Sequence, residues 1–358
     1  MLEHYGMLDG GFSSMTQGSP MDEAQDYVSQ MIGGFWAAQV ACAAAALSLP
    51  DHLAGEAMNA EELARAADVH APSAHRLLRA MVSLGLCTQR TDGRFTLTPA
   101  GGYLRADMPG SVRGRALFTG DMLWKQFGDL THQVKTGEPT RMLPSGAEGF
   151  EVLKNDPPRL HAFQLAMAES SQMAAREAMK AFDFARFQRV IDVGGGYGGL
   201  LTALLQAHPH QSGVVFDLPF LQDGAQRYLT QAGVQQRARF VGGSFFEAVP
   251  VPADFDLILM KYIVHDWDDA PARVILQKTR EATPEGATLV LIEQVVPDVI
   301  DATAAHQAVI RADLTMMGMG GKERTGQEYR ALLAQCGWRL AATTRCGPAF
   351  CVLEARPA

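Results

Sequence analysis

The amino-acid sequence predicts an α/β fold, in which a mostly parallel sheet carries helices on both faces. After residue 188, short runs rich in β-branched and aromatic residues alternate with helical runs, as strands and crossover helices do in a parallel sheet. The seven strand-like runs span 189–193, 213–218, 238–245, 255–260, 288–295, 339–345 and 350–355. Only four residues separate the last two runs, and so short a connection permits antiparallel pairing alone. We therefore expect a seven-stranded sheet whose last pair of strands is antiparallel.

The composition is that of an ordinary globular protein. Of the 358 residues, 47% are hydrophobic and 20% are charged, and the length suffices for two or three core-forming units. A formal net charge of −8 argues against nucleic acid as the main partner, because phosphate binding needs clustered Lys and Arg. The five cysteines show no metal-ligand spacing, so we expect reduced core thiols in a cytoplasmic protein.

The start of the chain lacks the basic and apolar regions of a signal peptide. The apolar run over 35–49 is too short to cross a bilayer. We therefore expect no membrane partner, and we expect residues 1–21 to be a flexible leader.

Residues 22–108 predict a winged-helix-like dimerisation domain. Asn59 and Glu62 form a capping-box pattern at the start of one helix, a second helix covers 73–87, and Asp92-Gly93 marks a hairpin turn. Outside that hairpin the unit is all-helical, and this order of elements is that of a winged helix. DNA binding is the usual role of such a unit, but the surrounding sequence is not basic, which favours a scaffold for a dimer.

The segment over 32–48 is apolar around most of its circumference. One small unit cannot cover all of that surface, so we expect a second copy of the chain to pack against it in a homodimer. An acidic substitution at Ala44 or Ala45 is expected to weaken this dimer. Beyond this unit, residues 109–182 are expected to form a helical connecting and substrate-pocket region, and residues 183–358 the catalytic domain.

A cluster of glycines follows the first strand of the sheet, in the sequence RVIDVGGGYGGL over 189–200. Gly194 and Gly196 lie in a turn without Cβ atoms, at the strand end where open α/β sheets bind nucleotide-like ligands. The spacing differs from the G-x-G-x-x-G of dinucleotide sites, and Asp192 lies on the strand just before it. The pattern favours an adenosyl cofactor over a nicotinamide site or a purely structural turn.

Polar residues also follow the second and third strands. Asp217 ends the second strand, 25 residues after Asp192, close to where a carboxylate binds the ribose hydroxyls of a nucleotide. The alternative for Asp217 is a cap of the next helix. Ser244 and Phe245 end the third strand and are candidates to contact an adenine, whereas the alternative is a loop with a buried Phe.

The segment MKYIVHDWDD, residues 260–269, follows the fourth strand and brings Lys261 and His265 to the same edge of the sheet. Its three aspartates are compatible with a metal site, but acidic residues also favour the first turn of a helix. Glu293 ends the fifth strand, where a carboxylate is costly unless it is paired. Glu323 lies in GGKERT before a helix, and the simplest alternative for it is a surface charge pair with Lys322.

Together, the segments IDVGGGYGG, FDLP, KYIVHDWDD, IEQVVP and GGKERT resemble, in order and spacing, the S-adenosylmethionine-dependent O-methyltransferases of the caffeate and flavonoid type and their bacterial natural-product relatives. The resemblance covers about residues 25–356, and KYIVHDWDD and GGKERT are its most specific parts. It implies the Rossmann-like sheet of class I methyltransferases, S-adenosylmethionine as cofactor, and a small aromatic or polyketide-like acceptor.

The resemblance also implies a role for each matching residue. His265 is the expected general base, and Glu293 and Glu323 are expected to flank and orient it. The expected cofactor contacts are Phe163, Met167, Ser171, Asp192, Gly194, Gly196, Asp217, Leu218, Ser244, Phe245 and Lys261. The expected acceptor-pocket residues are Trp124, Asp266, Met316 and Met319. The scheme needs no metal, and none is expected.

The chain departs from the plant enzymes of this family at one position. Those enzymes have an acidic residue after the third strand to bind the adenine amine, and this chain has Ser244. Three other functions stay open: N- or C-methylation, a non-methylating reaction such as decarboxylation, hydroxylation or a pericyclic step, and regulation by DNA binding. The sequence does not identify the acceptor.

Overall fold

A computed structural model describes residues 20–144, 152–347 and 350–358 of the chain. The predicted leader over 1–21 therefore lies almost entirely outside the described residues, as do Pro348 and Ala349 of the turn predicted between the last two strands. The described residues form two compact units, which divide between Gly101 and Gly102.

None of the helices in the described ranges combines the length and the apolar character that crossing a membrane requires.

The first unit is helical apart from one hairpin. Its elements are α1 Pro20–Gly33, α2 Phe35–Ala46, α3 Leu49–His52, α4 Ala60–Ala66, α5 Ala71–Ser83, β1 Cys87–Gln89, β2 Phe95–Leu97 and α6 Pro99–Gly102. The capping box is confirmed, because Glu62 N donates to Asn59 Oδ1 over 2.8 Å and Asn59 N donates to Glu62 Oε2 over 3.0 Å. The hairpin is also confirmed, with β1 and β2 antiparallel.

Helices α1 and α2 bury only part of their apolar surface within the first unit. Ile32 is 72% exposed, Phe35 61% and Trp36 43%. By contrast, Ala44 and Ala45 are fully buried in the core of their own unit. The choice of these two alanines as probes of a dimer is therefore wrong, because a buried glutamate there would unfold the unit itself.

The second unit begins with helices and then forms the sheet. The leading helices are α7 Arg113–Phe118, a π-helical turn Thr119–Leu123, α8 Trp124–Gly128, α9 Leu130–Thr136 and α10 Pro157–Ala181. Helix α10 lies in the region over 109–182 that the sequence predicts to be helical. Asp156 caps it, since its side chain accepts from Arg159 N.

The sheet confirms the predicted seven strands. They are β3 Arg189–Val193, β4 Ser212–Asp217, β5 Ala238–Gly242, β6 Leu257–Lys261, β7 Thr288–Glu293, β10 Trp338–Cys346 and β11 Phe350–Pro357. Their spatial order is β10-β11-β7-β6-β3-β4-β5. Strand β11 runs antiparallel to both of its neighbours, β10 and β7, and the other neighbouring pairs are parallel. Strand β5 ends at Gly242, earlier than expected, because Glu247 N and Ala248 N both turn back to Ser244 O.

The connections around this sheet are helical, with one small extra ladder. They are α11 Gly199–Ala207, α12 Gln222–Gln231, α13 Asp269–Ala282, α14 Ala304–Met319 and α15 Gly326–Gln335, and the ladder pairs β8 Val295–Val296 with β9 Arg324–Thr325. Apolar side chains form one core cluster on each face of the sheet. The carboxyl ends of β3, β4, β6 and β7 therefore meet at one edge, where the candidate site lies.

Candidate active site

His265 lies just beyond the end of β6, on a short 3₁₀ turn Val264–Asp266, and is only 5% exposed. Its Nδ1 lies 2.8 Å from Glu323 Oε1 and 3.8 Å from Glu293 Oε2. Its Nε2 lies 3.4 Å from Asp266 Oδ1. The structure thus brings together His265 and the two glutamates that the sequence analysis paired with it, and we call these three residues the base cluster.

Glu293 is held at the end of β7 by the loop that carries His265. Its Oε1 accepts hydrogen bonds from the backbone N–H of Ile263 at 3.1 Å and of Val264 at 3.0 Å. One carboxylate therefore supports the loop with one oxygen and faces the imidazole with the other.

The segment Gly321–Arg324 wraps around the other side of His265. A Cβ on Gly321 would lie 2.2 Å from His265 O, so only glycine allows this approach. Lys322 N donates to His265 O over 2.9 Å. Glu323 is 4% exposed, so the alternative of a surface charge pair with Lys322 is wrong.

Arg324 fixes the same loop through its guanidinium, which is fully buried. It donates to Val264 O at 2.9 Å and Trp267 O at 2.8 Å, the carbonyls of the first residue of the 3₁₀ turn and of the residue after it. It also pairs with Asp269 at 2.9 Å. The acidic residue at the start of α13 therefore anchors the loop.

Burial and charge oppose each other in the base cluster. Burial by itself would lower the pKa of His265, but the negative charges of Glu323, Glu293 and Asp266 outweigh it and raise this pKa to about 10. Burial raises the pKa of Glu293 to about 7 and that of Asp266 to about 6. The neighbouring carboxylates thus stabilise the imidazolium, which is the form that His265 takes once it has accepted a proton as a general base.

A histidine and two carboxylates are also the composition of a metal site. Ligand atoms of His265, Glu293 and Glu323 all lie within 4.8 Å of one another. In this arrangement Nδ1 is already bonded to Glu323, and two carboxylate oxygens, Glu293 Oε2 and Glu323 Oε2, have no hydrogen-bond partner within the described ranges. The cluster can therefore hold either a proton on the imidazole or a cation between its members.

The glycine turn lies beside the base cluster, after β3. Gly196 N donates to Asp217 Oδ2 and Leu218 N to Asp217 Oδ1, both at 2.7 Å. Each carboxylate oxygen has a second lone pair and can accept one further hydrogen bond. Asp217 therefore braces the turn and also presents two acceptors, and it does not cap the following 3₁₀ turn.

The glycines are required by the packing of the turn itself. Gly194 has φ +71°, and a Cβ there would lie 2.2 Å from Ile263 Cδ1. Gly196 has φ +57°, and its Cβ would lie 2.7 Å from Gln164 Oε1. Protein side chains, and not only a ligand, thus approach this backbone closely.

Two buried acceptors beside this turn lack a hydrogen-bond partner in the part of the chain that the structure describes. They are Asp192 Oδ2 and Gln164 Oε1. Burial raises the pKa of Asp192 to about 7. Buried acceptors are normally paired, so this pair points to a ligand that carries hydrogen-bond donors.

Lys261 connects the turn with the base cluster. Its ammonium is buried, donates to Ser170 Oγ on α10 over 3.2 Å, and lies 4.1 Å from the centre of the Tyr262 ring. Burial lowers the pKa of Lys261 to about 8. Phe163, Met167 and Ser171 lie on the same helix, half-buried.

Ser171 and Phe245 reach the glycine turn from either side. A Cβ on Gly199 would lie 3.3 Å from Ser171 Cβ, and one on Gly194 would lie 3.7 Å from Phe245 Cε1. Ser244 is half-buried, and its Oγ accepts from Phe246 N at 3.3 Å. Of these three predicted cofactor residues, Ser171 and Phe245 therefore lie at the turn.

The predicted acceptor residues are less closely grouped. Met316 is buried and Met319 half-buried on α14, whereas Trp124 is 42% exposed at the start of α8. The two helices pack together where Gln126 donates to Thr315 O. A surface groove of about 310 Å³ lies elsewhere along α14, around Ile310 and Leu314, and contains none of the predicted site residues.

Sequence reasoning missed four residues of this site. Tyr262 stacks on His265, Arg324 holds its loop, Asp313 accepts from Glu323 N at 3.0 Å, and Gln164 lies over the glycine turn. Tyr262 and Arg324 lie within the segments KYIVHDWDD and GGKERT, so their positions in the sequence indicate a place near the site. Asp313 and Gln164 carry no such signal, because only the fold brings them to the site.

Comparison with known proteins identifies the family. A family described as the O-methyltransferase domain matches residues 127–339, and one described as the O-methyltransferase dimerisation domain matches residues 29–107. A phenazine O-methyltransferase of Lysobacter antibioticus is 35% identical over 329 residues, which cover 92% of this chain and 95% of that protein. An 8-amino-8-demethylriboflavin N,N-dimethyltransferase of Streptomyces davaonensis is 30% identical over 320 residues, 88% of this chain and 90% of that protein.

The fold comparison agrees. The O-methyltransferase NcsB1 from neocarzinostatin biosynthesis, solved with S-adenosylmethionine and 2-hydroxy-5-methyl naphthoic acid, is 33% identical and has a TM-score of 0.73. The match covers 90% of this chain and 96% of that one. The chain therefore belongs to the O-methyltransferase family.

Proposed function

We propose that this protein transfers the methyl group of S-adenosylmethionine to a hydroxyl of a small aromatic acceptor, with His265 as general base. The observation that carries the proposal is the base cluster, a buried histidine bonded to one glutamate and facing a second, next to a glycine turn. Membership of the O-methyltransferase family supports the reaction type.

The residues around the glycine turn fit this cofactor. Asp217 offers two oxygens for the paired hydroxyls of a ribose, and each oxygen is already oriented by a backbone N–H. Asp192 Oδ2 and Gln164 Oε1 are buried acceptors suited to an amino group. Phe245 lies against Gly194, where it can contact an adenine ring. The hydroxyl and amino donors of an adenosyl amino acid therefore have matching acceptors in the chain.

His265 supplies the proton transfer in this mechanism. The bound cofactor would supply an electrophilic methyl group on a positively charged sulfur, and transfer of that methyl to the acceptor oxygen would leave neutral S-adenosylhomocysteine. Nδ1 is tied to Glu323, which leaves Nε2 to take the proton of the acceptor hydroxyl. A nearby cation disfavours the imidazolium, so His265 gives up its proton more readily in the loaded enzyme than in the free one.

Positioning contributes most of the acceleration. Holding a nucleophile in line is worth up to about 7–11 kcal/mol, and general-base assistance adds about 10²–10⁴-fold. Glu293 and Glu323 fix the tautomer of His265 and stabilise its charge, as a carboxylate does for the histidine of serine proteases. The two glutamates of the base cluster therefore hold His265 in position and stabilise the positive charge that it acquires.

The acceptor is best approached with a panel of hydroxylated aromatic probes, of which 3-amino-4-hydroxybenzoate also carries an amine. We expect 3-amino-4-hydroxybenzoate, 2-hydroxy-5-methyl naphthoic acid or a hydroxyphenazine to gain one methyl on oxygen when incubated with the protein and ¹³C-methyl-labelled cofactor. Mass spectrometry detects the transfer, and carbon NMR distinguishes an O-methyl from an N-methyl product. Cofactor binding without any methylated product would contradict the methyltransferase function.

N-methylation is the second candidate. It is favoured by the 30% identity to the riboflavin-analogue N,N-dimethyltransferase over most of both chains. An aromatic amine has no acidic proton to remove before attack, so N-methylation depends less on His265 than O-methylation does. An N-methyl product that persists in H265Q would establish this alternative.

We also infer that the protein is a homodimer through α1 and α2. The support is the exposed apolar stripe of Met31, Ile32, Phe35 and Trp36, together with the match of 29–107 to the dimerisation domain. Light scattering is expected to give twice the 38.7 kDa of one chain. I32E and W36E are expected to give single chains, whereas Q30E on the other face of α1 leaves the mass unchanged. Wild-type protein of single-chain mass would refute the dimer.

The domain roles and location complete the proposal. The dimerisation domain over 22–108, the pocket region over 109–182 and the catalytic domain over 183–358 are the expected divisions. A cytoplasmic location is supported by the five cysteines, all of which are free thiols.

A further inference from the structure

Tyr262 has an uncommon backbone and two contacts that the proposed function leaves unexplained. Its φ is +57°, a conformation that bulky residues adopt rarely and that is found preferentially at functional sites. Its ring lies 4.6 Å from the His265 imidazole at an interplanar angle of 25°. The Lys261 ammonium lies 4.1 Å from the same ring.

The rest of Tyr262 is anchored on β7 and the residue after it. Its N–H donates to Ile292 O over 3.2 Å, and its hydroxyl accepts from Gln294 Nε2 over 2.9 Å. Directly after Tyr262, the chain turns so that the next two backbone N–H groups donate to Glu293. The strained residue is therefore the one at which β6 turns into the loop of the base.

The stacking supplies a restraint that the glutamates do not. The hydrogen bond from His265 Nδ1 to Glu323 holds the imidazole at one nitrogen, but such a bond tolerates a range of angles and the ring can still tilt. A near-parallel aromatic ring at 4.6 Å limits this tilt. The same ring attracts the Lys261 ammonium by a cation–π interaction.

We propose that Tyr262 is a positioning residue whose ring fixes the plane of the His265 imidazole and the place of the Lys261 ammonium. This inference rests on the proposed role of His265 as base. The ring, and not the hydroxyl, performs the function, because the hydroxyl contacts Gln294 outside the base cluster. The Tyr262 side chain thereby fixes the position of the base relative to Lys261, the cation on the cofactor side.

The test compares Y262F, which keeps the ring, with Y262N and Y262G, which remove it. Asn and Gly both tolerate a positive φ, so these variants relieve strain rather than add it. Thermal melting and calorimetry with S-adenosylmethionine report that each variant is folded, and Y262G serves if Y262N does not fold.

The first readout needs no acceptor. In protein with ¹⁵N-labelled histidine, H265Q identifies the resonances of His265. We expect the Nδ1–H signal of His265 in wild-type protein and Y262F, and its loss through exchange with solvent in Y262N. Folded Y262N that keeps the Nδ1–H signal would overturn the proposal.

The second readout is a double-mutant cycle on the acceptor that is methylated fastest. A misplaced base costs on the order of 10²-fold in turnover, so Y262N is expected to lose about that factor in the wild-type background and nothing further in H265Q. Equal losses in both backgrounds would assign Tyr262 a purely structural role. Full turnover of H265Q would instead remove the proposed function of His265, and the NMR result would still decide whether the ring is ordered by Tyr262.

Discussion

The base cluster and the glycine turn lie at the same edge of the sheet, but they compensate buried charge in different ways. In the base cluster, the unpartnered oxygens of Glu293 and Glu323 lie beside an imidazole whose pKa is raised to about 10. At the glycine turn, Asp192 Oδ2 has no hydrogen-bond partner within the described ranges, and burial raises its pKa to about 7 although the charge of Lys261 acts to lower it. The first region holds its cation in direct contact with a carboxylate, whereas the second presents acceptors without a hydrogen-bond donor.

The chain itself therefore supplies the hydrogen bonds that hold the base cluster, whereas a ligand is expected to complete the hydrogen bonds of the glycine turn. The loop of His265 is held by backbone bonds to Glu293, Lys322 and Arg324, so the base is in place before any ligand binds. Two buried acceptors beside the turn, Asp192 Oδ2 and Gln164 Oε1, have no donor in the described part of the chain, so we expect a ligand to supply one. Substitutions in the base cluster are therefore expected to reduce turnover, and those in the turn to reduce binding.

The largest effect is expected for H265Q. Turnover on the methylated acceptor is expected to fall by about 10²–10⁴-fold, the range of a lost general base, because glutamine cannot take the proton. Affinity for S-adenosylmethionine, measured by calorimetry, is expected to stay unchanged. H70Q, at an exposed histidine of the first unit, is the matched control. Unchanged turnover in H265Q would show that proximity alone drives the reaction.

The next largest effect is expected for D217A, in binding. Loss of hydrogen bonds to a charged group costs about 1.5–3 kcal/mol, or about 10- to 150-fold in the dissociation constant for S-adenosylmethionine. D223N, an exposed aspartate in the first turn of α12, is the control. Calorimetry that gives equal affinities for D217A and wild-type protein would limit Asp217 to bracing the glycine turn.

The sequence predicted all three residues of the base cluster, but not all of the residues that surround the site. His265, Glu293 and Glu323 lie in motifs whose order along the chain follows the strands, and strand ends meet at one edge. Gln164 was not predictable, because its place over Gly196 depends on how α10 packs on the turn.

The sequence also underdetermined which alanines of α2 face inward. Nearly every residue of that helix is apolar, so no periodicity distinguishes its buried side from its exposed side, and Ala44 and Ala45 were misassigned to the dimer surface. A third difference, the early end of β5, arises from the local turn at Ser244, which competes with the strand.

A smaller effect is expected for E293Q, in the pH dependence. The free enzyme must lose the His265 proton before the base can act, so kcat/KM rises with pH up to that pKa. Removing the Glu293 charge takes away one cause of the raised pKa, and the rising limb is therefore expected to move to lower pH. The amide oxygen can still accept from Ile263 N and Val264 N, so the loop is expected to persist.

The control for this prediction is E285Q, at a side chain that is 79% exposed and pairs with Arg280. Its pH profile is expected to match that of wild-type protein. An E293Q limb at the wild-type position would show that Glu293 supports the loop without influencing the base.

The smallest effect is expected for S244D. This variant tests whether the residue at position 244 contacts the adenine of the cofactor. Ser244 Oγ accepts only a 3.3 Å bond from Phe246 N among the hydrogen bonds of the described chain, so a carboxylate there can accept that bond and one from an adenine amine. A charged acceptor exceeds a neutral one by about 1 kcal/mol, partly offset by burial of the charge, so binding is expected to be equal or up to about fivefold tighter. Calorimetry with S-adenosylhomocysteine and with S-inosylhomocysteine, which lacks the amine, isolates this contact, and S244A is the matched control. Any gain is expected with the adenosyl ligand alone; an equal gain with both ligands would place the new charge away from the adenine.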